Sequence, residues 1–231
     1  MTVERVTLPI DGQKSISAVL AQPEDATEKR PAAVLIAHGA GGNMDHEFIV
    51  TVAEGLTAAG LATLRFNFPF SEERRKAPDT PRKLYAAWRA AFDFMSGEKG
   101  PCPSRIVVSG KSMGGRIASQ MVAEGLLPAD GLILFGYPLH PPGKPEKLRD
   151  GHLRQVRIPT LFVSGTRDAL CDLTLLKDVL PRLTAPWNLE VIEGGDHSFK
   201  VPKSSGQSYP SVKEDILERT TAWLEECGFR A

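Results

Sequence analysis

The chain has 231 residues, with 28 Lys plus Arg balanced by 28 Asp plus Glu. That length suits one domain of ordinary size, or at most two small ones. With 42% hydrophobic and 24% charged residues, the composition disfavours intrinsic disorder, and the absence of a positive excess disfavours general nucleic-acid binding.

The three cysteines, Cys102, Cys171 and Cys227, lie far apart and form no CxxC pair. A disulfide framework or a structural zinc site is therefore not expected, and a reducing compartment fits. The N-terminus carries no apolar core of signal-peptide length, and no apolar run approaches the ~20 residues of a membrane span. On these grounds the cytoplasm is the expected location. No residue pattern calls for a metal or a cofactor.

Two short strands, 3–8 and 16–21, flank the turn signal Asp11-Gly12 and predict an antiparallel start to the sheet. Buried strands are predicted at 33–37, 106–108, 132–135 and 161–163, with weaker, partly alternating ones at 61–66 and 189–192. Strands apolar on both faces belong in parallel sheets covered by helices. The helices are read from five stripes of helical period. These are Phe48, Val52, Leu56 and Ala59; Leu84, Trp88, Phe92 and Met95; Ile117, Met121 and Val122; Leu173, Leu176, Val179, Leu180 and Leu183; and Val212, Ile216, Thr220, Trp223 and Leu224. The segments 78–81, 138–145 and 201–210 read as loops. The resulting order, β-β-β-α-β-α-β-α-β-β-α-β-α, predicts a single α/β domain spanning 1–231, with a mostly parallel sheet and helices on both faces.

The segment that carries chemistry is 106–116, which contains Gly110-Lys111-Ser112-Met113-Gly114. Gly-x-Ser-x-Gly is weak as a bare pattern. Here it follows an apolar strand and opens a helix, as a nucleophile elbow requires. The serine must sit on a sharp, strained turn, and Gly110, Gly114 and Gly115 let strand and helix come close. A serine hydroxyl needs a base, and the base needs an orienting acid. Of the five histidines, only His140, His152 and His197 follow Ser112. His197 lies in a glycine loop directly after the last predicted strand and is the predicted base. Asp168, just past the preceding strand, is the predicted acid, with Asp172 as the alternative. Asp196 adjoins His197, so its side chain is expected to point away. The N–H groups of Met113 and of Ala40, in the glycine loop 39–42, are candidate oxyanion donors. His38 is read as a support for that loop. A nucleotide-binding reading fails at both glycine segments: 39–42 lacks the Gly-Lys-Ser/Thr close of a nucleotide loop, and no Gly lies five residues before Gly110.

These features resemble the α/β-hydrolase superfamily: a strand followed by His-Gly, the Gly-x-Ser-x-Gly elbow, then Asp168 and His197 in that order. Within it, the segments 38–46, 65–70 and 110–116 resemble small lidless hydrolases related to dienelactone hydrolase. They are most similar to a poorly characterised group named after a testis-expressed protein and a histone-acetyltransferase-complex subunit. The resemblance implies a serine hydrolase without setting a substrate. Dienelactone hydrolase uses a cysteine nucleophile, so lactone cleavage of that kind is not implied.

About 24 residues separate Phe135 from Thr160, too few for a cap domain, so the site is expected to be open. Phe68, Phe70, His140 and Phe199 are candidates for the substrate pocket. The leading expectation is a hydrolase of small carboxylic esters or thioesters that forms an acyl-enzyme on Ser112. The alternative is an inactive hydrolase scaffold that binds a protein partner. A homodimer through an edge strand or helix stays open.

Overall fold

The computed structural model describes residues 1–12, 14–24 and 32–230. Two antiparallel strands, β1 (Thr2–Asp11) and β2 (Lys14–Gln22), open the chain, followed by β3 (Ala33–Ala37) and α1 (Glu47–Ala58). Next come β4 (Ala62–Phe66), the single turn α2 (Pro69–Glu72) and α3 (Pro81–Ser96). The elbow segment forms β5 (Ile106–Lys111) and α4 (Met113–Ala123), and β6 (Gly131–Phe135) and β7 (Thr160–Gly165) follow. The chain ends with α5 (Leu173–Val179), β8 (Trp187–Ile192) and α6 (Tyr209–Glu226).

The eight strands form one sheet in the order β1-β2-β4-β3-β5-β6-β7-β8. From β4 to β8 every neighbouring pair is parallel, whereas β2 pairs with β4 antiparallel. The expected order of strands and helices is observed among the described residues, with α2 and three short 3-10 turns added. Pro69 occupies the first turn of α2, where its missing N–H costs nothing.

The sheet is buried on both faces because its central strands are mostly apolar on both sides. In β3, Ala33, Leu35 and Ala37 face the core shared with α3 and α4, while Val34 and Ile36 face the core shared with α1 and α6. Trp88 anchors the first core and Trp223 the second. The stripe from Leu173 to Leu183 does not form one helix. Pro181, which has no N–H to donate, turns its end into a 3-10 turn at Leu180–Arg182. Likewise the loop 201–210 ends two residues sooner than expected, because Ser208 caps α6 by accepting from the Ser211 N–H at 3.2 Å.

The connection 136–159 holds only a 3-10 turn at Leu153–Gln155, so nothing covers the sheet as a cap would. The chain leaves β3 towards β4 and then returns across it to β5. The crevice beyond the carboxyl ends of β3 and β5 lies at this reversal, where open α/β sheets bind ligands. No helix among the described residues is long and apolar enough to cross a membrane.

Candidate active site

Ser112 sits between β5 and α4 at φ +52° and ψ −115°, a backbone conformation that L-residues rarely adopt. The glycines around it are required by contact. A Cβ on Gly110 would lie 2.4 Å from the Gly115 nitrogen, and one on Gly114 would lie 2.6 Å from the His38 carbonyl oxygen. Strand, helix and the loop after β3 are thus in backbone contact, and the serine oxygen is lifted over the sheet's edge.

The loops after β7 and β8 are laced together in the same way. A Cβ on Gly165 would come within 2.1 Å of the Gly195 carbonyl oxygen, which accepts from the Arg167 N–H at 2.9 Å. This contact brings Asp168 to His197. His197 Nε2 lies 2.8 Å from Ser112 Oγ, and its Nδ1 lies 2.8 and 3.0 Å from the two Asp168 oxygens. The Asp168 carboxylate is fully buried, and its Oδ1 also accepts from the Leu170 N–H at 2.8 Å. A buried carboxylate facing Nδ1 holds the proton there and leaves Nε2 as an acceptor towards the hydroxyl.

The sequence model of a family described as an alpha/beta hydrolase domain matches residues 30–225. The chain belongs to the α/β-hydrolase family. Among solved structures, dienelactone hydrolase from Anabaena variabilis is 22% identical and aligns over 97% of both chains with a TM-score of 0.76. A serine hydrolase without lid from Xanthomonas campestris is 19% identical, with a TM-score of 0.75 over 97% of this chain and 94% of that one. Est1E from Butyrivibrio proteoclasticus is 18% identical, with a TM-score of 0.73 over 96% of this chain and 98% of its own. At these identities the likeness is one of fold.

The other acidic candidates of this α/β-hydrolase have different work. Asp172 caps α5, its Oδ1 accepting from Thr174 N at 2.8 Å and Leu175 N at 3.3 Å. Asp196 folds the histidine loop, accepting from the Ser198 and Lys200 N–H groups at 2.8 and 2.9 Å.

His38 supports the glycine loop. Its Nδ1 faces the Gly39 carbonyl oxygen at 2.8 Å and its Nε2 accepts from the Phe68 N–H at 3.1 Å, so the ring is the neutral Nδ1–H tautomer. Burial pushes its pKa down to about 4. The loop itself turns through Gly41 at φ +73°, with the Gly42 N–H donating to the Gly39 carbonyl at 3.2 Å. Ala40 stands at the second position of this turn and lines the cavity beside Ser112.

That cavity has a volume of about 170 Å³ and opens between the glycine loop, α1 and the start of α6. The four expected pocket residues are not part of its lining. Phe68 and Phe70 are fully buried: α2 folds them inward, where their rings stack at 6.1 Å and meet the His38 ring edge-on at 5.0 and 5.6 Å. Burying each phenyl gains about 2–3 kcal/mol, which outweighs leaving it on a wet wall. Phe199 is buried against Phe48 at 5.3 Å. His140 clamps the acid loop from outside, its Nε2 accepting from the Asp172 N–H at 3.0 Å. His152 also lies away from the cavity, with its Nε2 2.8 Å from Ser119 Oγ.

The wall is built instead by His46, Phe48, Ile49, Lys111, Ser198 and Tyr209. His46, Phe48 and Ile49 follow the glycine loop directly at the head of α1, a position that proximity in sequence could have flagged. Tyr209 arrives from almost a hundred residues beyond Ser112 and carries no local signal.

Proposed function

We propose that this α/β-hydrolase cleaves small carboxylic esters or thioesters by transfer of the acyl group to Ser112. The observation that carries the reading is the unbroken path from Ser112 Oγ through His197 to the buried Asp168. Ser112 Oγ attacks the acyl carbon while His197 Nε2 takes its proton, and Asp168 stabilises the imidazolium that forms. The tetrahedral oxyanion accepts from two backbone N–H groups. One is that of Met113, the first of α4, which has no acceptor within its own helix. The other is that of Ala40, presented by the glycine turn. His197 then protonates the departing oxygen or sulfur, and a water attacks the acyl-enzyme by the reverse route.

The cavity supports a short acyl group. Its volume of about 170 Å³ falls below the ~300–1,000 Å³ typical of pockets that engulf a drug-sized ligand. The related serine hydrolase without lid and Est1E share this fold.

A fluorophosphonate probe tests the nucleophile, and p-nitrophenyl esters of graded length test the substrate class. Labelling is expected on the wild type and absent in Ser112→Ala. Turnover is expected to fall by about 10⁴-fold or more in that variant. Acetyl and butyryl esters should outrun octanoyl and longer ones. An active Ser112→Ala enzyme would reject the mechanism. A folded protein inert towards the probe and every acyl donor would leave the scaffold reading, in which the fold serves a protein partner.

A further inference from the structure

Lys111, the variable residue before the serine in the elbow motif, is the last residue of β5 and points into the site rather than away from it. Its Nζ donates to the backbone carbonyl of His197. The ammonium lies over the Phe199 ring, 5.0 Å from its centroid. Gly136, at φ +61° just past β6, makes room for it: a Cβ there would lie 2.7 Å from Lys111 Nζ and 3.6 Å from His197 Nδ1. The two nitrogens are therefore separated by no more than the sum of those lengths. Among the described residues, Lys111 has no carboxylate within ion-pair distance.

An ammonium half withdrawn from water and without an ion pair is costly. One hydrogen bond and one aromatic face do not return that cost, and a methionine would fill the same space without it. We propose that Lys111 is a positioning residue of the site. Its head group ties the base's backbone to the strand that carries the nucleophile, and its fixed positive charge behind the imidazole opposes protonation of His197 before substrate arrives.

The charged and titratable groups around this pair are few. Asp168 faces it from the loop after β7 and Asp196 from the loop after β8, and both favour the charged ammonium. Burial acts against them and pushes the lysine down to about 8. Across the cavity stand His46 and Tyr209. The ammonium groups of Lys200 and Lys213 lie over the Tyr209 ring, and Lys213 is paired with Glu47 at 2.6 Å. Below about pH 8 Lys111 carries its charge. Without it, Asp168 acts on the ring unopposed.

The inference rests on the reading of His197 as the base, but its test does not need turnover. Histidine ring resonances followed by NMR in the full chain report the His197 titration midpoint directly. Lys111→Met should raise that midpoint by about one pH unit, and Lys111→Arg should keep it near wild type. In the active enzyme, the acid limb of the kcat/KM profile should move upward by the same amount in Lys111→Met only. A merely structural lysine would lower the rate at every pH without moving the limb. If Lys111→Met fails to fold, the lysine Cε resonance of the wild type should show a second inflection at the His197 midpoint, because coupling between two sites is reciprocal. A midpoint unchanged in Lys111→Met, or a Cε curve without that inflection, overturns the inference. A shifted midpoint in a protein that hydrolyses no ester would sustain it and remove only the esterase reading.

Discussion

Replacing Asp168 by Asn tests the site at its least exposed point. Asp168 Oδ1 accepts from Leu170 N at 2.8 Å while Oδ2 lies 2.8 Å from His197 Nδ1. An asparagine that keeps its oxygen on the Leu170 N–H must therefore present its NH₂ in place of Oδ2, and the retained oxygen, 3.0 Å from Nδ1, is then shared between two donors. The NH₂ is itself a donor, which favours the ring protonated on Nε2, a form that cannot accept from Ser112. Flipping the amide restores the histidine but turns its NH₂ towards the Leu170 N–H, which costs about 1–3 kcal/mol. Both routes lead to a poorer base. The expected loss in kcat/KM is about 10³–10⁴, or roughly 4–5.5 kcal/mol of transition-state stabilisation. The control is Asp172→Ala, which removes the α5 cap. It should lower stability by about 1 kcal/mol and change the rate by no more than about threefold. Hydrolysis of p-nitrophenyl acetate, normalised to fluorophosphonate-titrated sites, reads the rate, and urea unfolding reads stability. An Asp168→Asn enzyme within tenfold of wild type, or a greater loss in Asp172→Ala, would refute the assignment of the acid.

Ser112 stores strain at φ +52° and ψ −115°. Ser112→Gly should therefore abolish labelling yet stabilise the fold by about 1 kcal/mol, seen calorimetrically as a Tm higher by a few degrees; a lower Tm would contradict the strain. Gly114→Ala places a Cβ 2.6 and 2.7 Å from the carbonyl oxygens of His38 and Ala37. Backbone must move, so about 2 kcal/mol of stability and at least tenfold in kcat/KM should be lost; a silent substitution in both assays would mean that the close approach is unnecessary. His38 is held neutral, with its pKa lowered from 6.5 to about 4. The unfolded chain thus binds the proton first as the pH falls, and stability is lost below about pH 6.5 down to about pH 4. His38 contributes up to about 3 kcal/mol of that loss, and His152, lowered to about 4 by burial and by Arg116, adds to it. Urea midpoints that stay level from pH 7 to pH 4.5 would exclude this.

What the sequence makes legible is what short-range chemistry determines. Gly110, Gly114 and Gly115 surround Ser112 because three backbones meet there, and that need is written within six residues of chain. Asp168 and His197 follow their strands closely, so their places relative to the sheet can be read before any fold is known. The pocket is different. Phe68 and Phe70 stand beside the glycine loop in any linear reading, yet the single turn of α2 converts them from wall to core. Tyr209 reaches the cavity only because α6 packs beside α1, and no pattern near it announces the arrangement.

Lys111 shows the boundary most sharply. The elbow motif leaves its position unconstrained, since any side chain satisfies the turn. Its reach to the His197 carbonyl depends on Gly136, a residue just past the neighbouring strand whose positive φ and missing Cβ vacate the space. A larger residue at 136 would exclude the ammonium without altering the motif. The character of the base in such a site is therefore a property of two positions taken together, the one before the nucleophile and the one past the next strand.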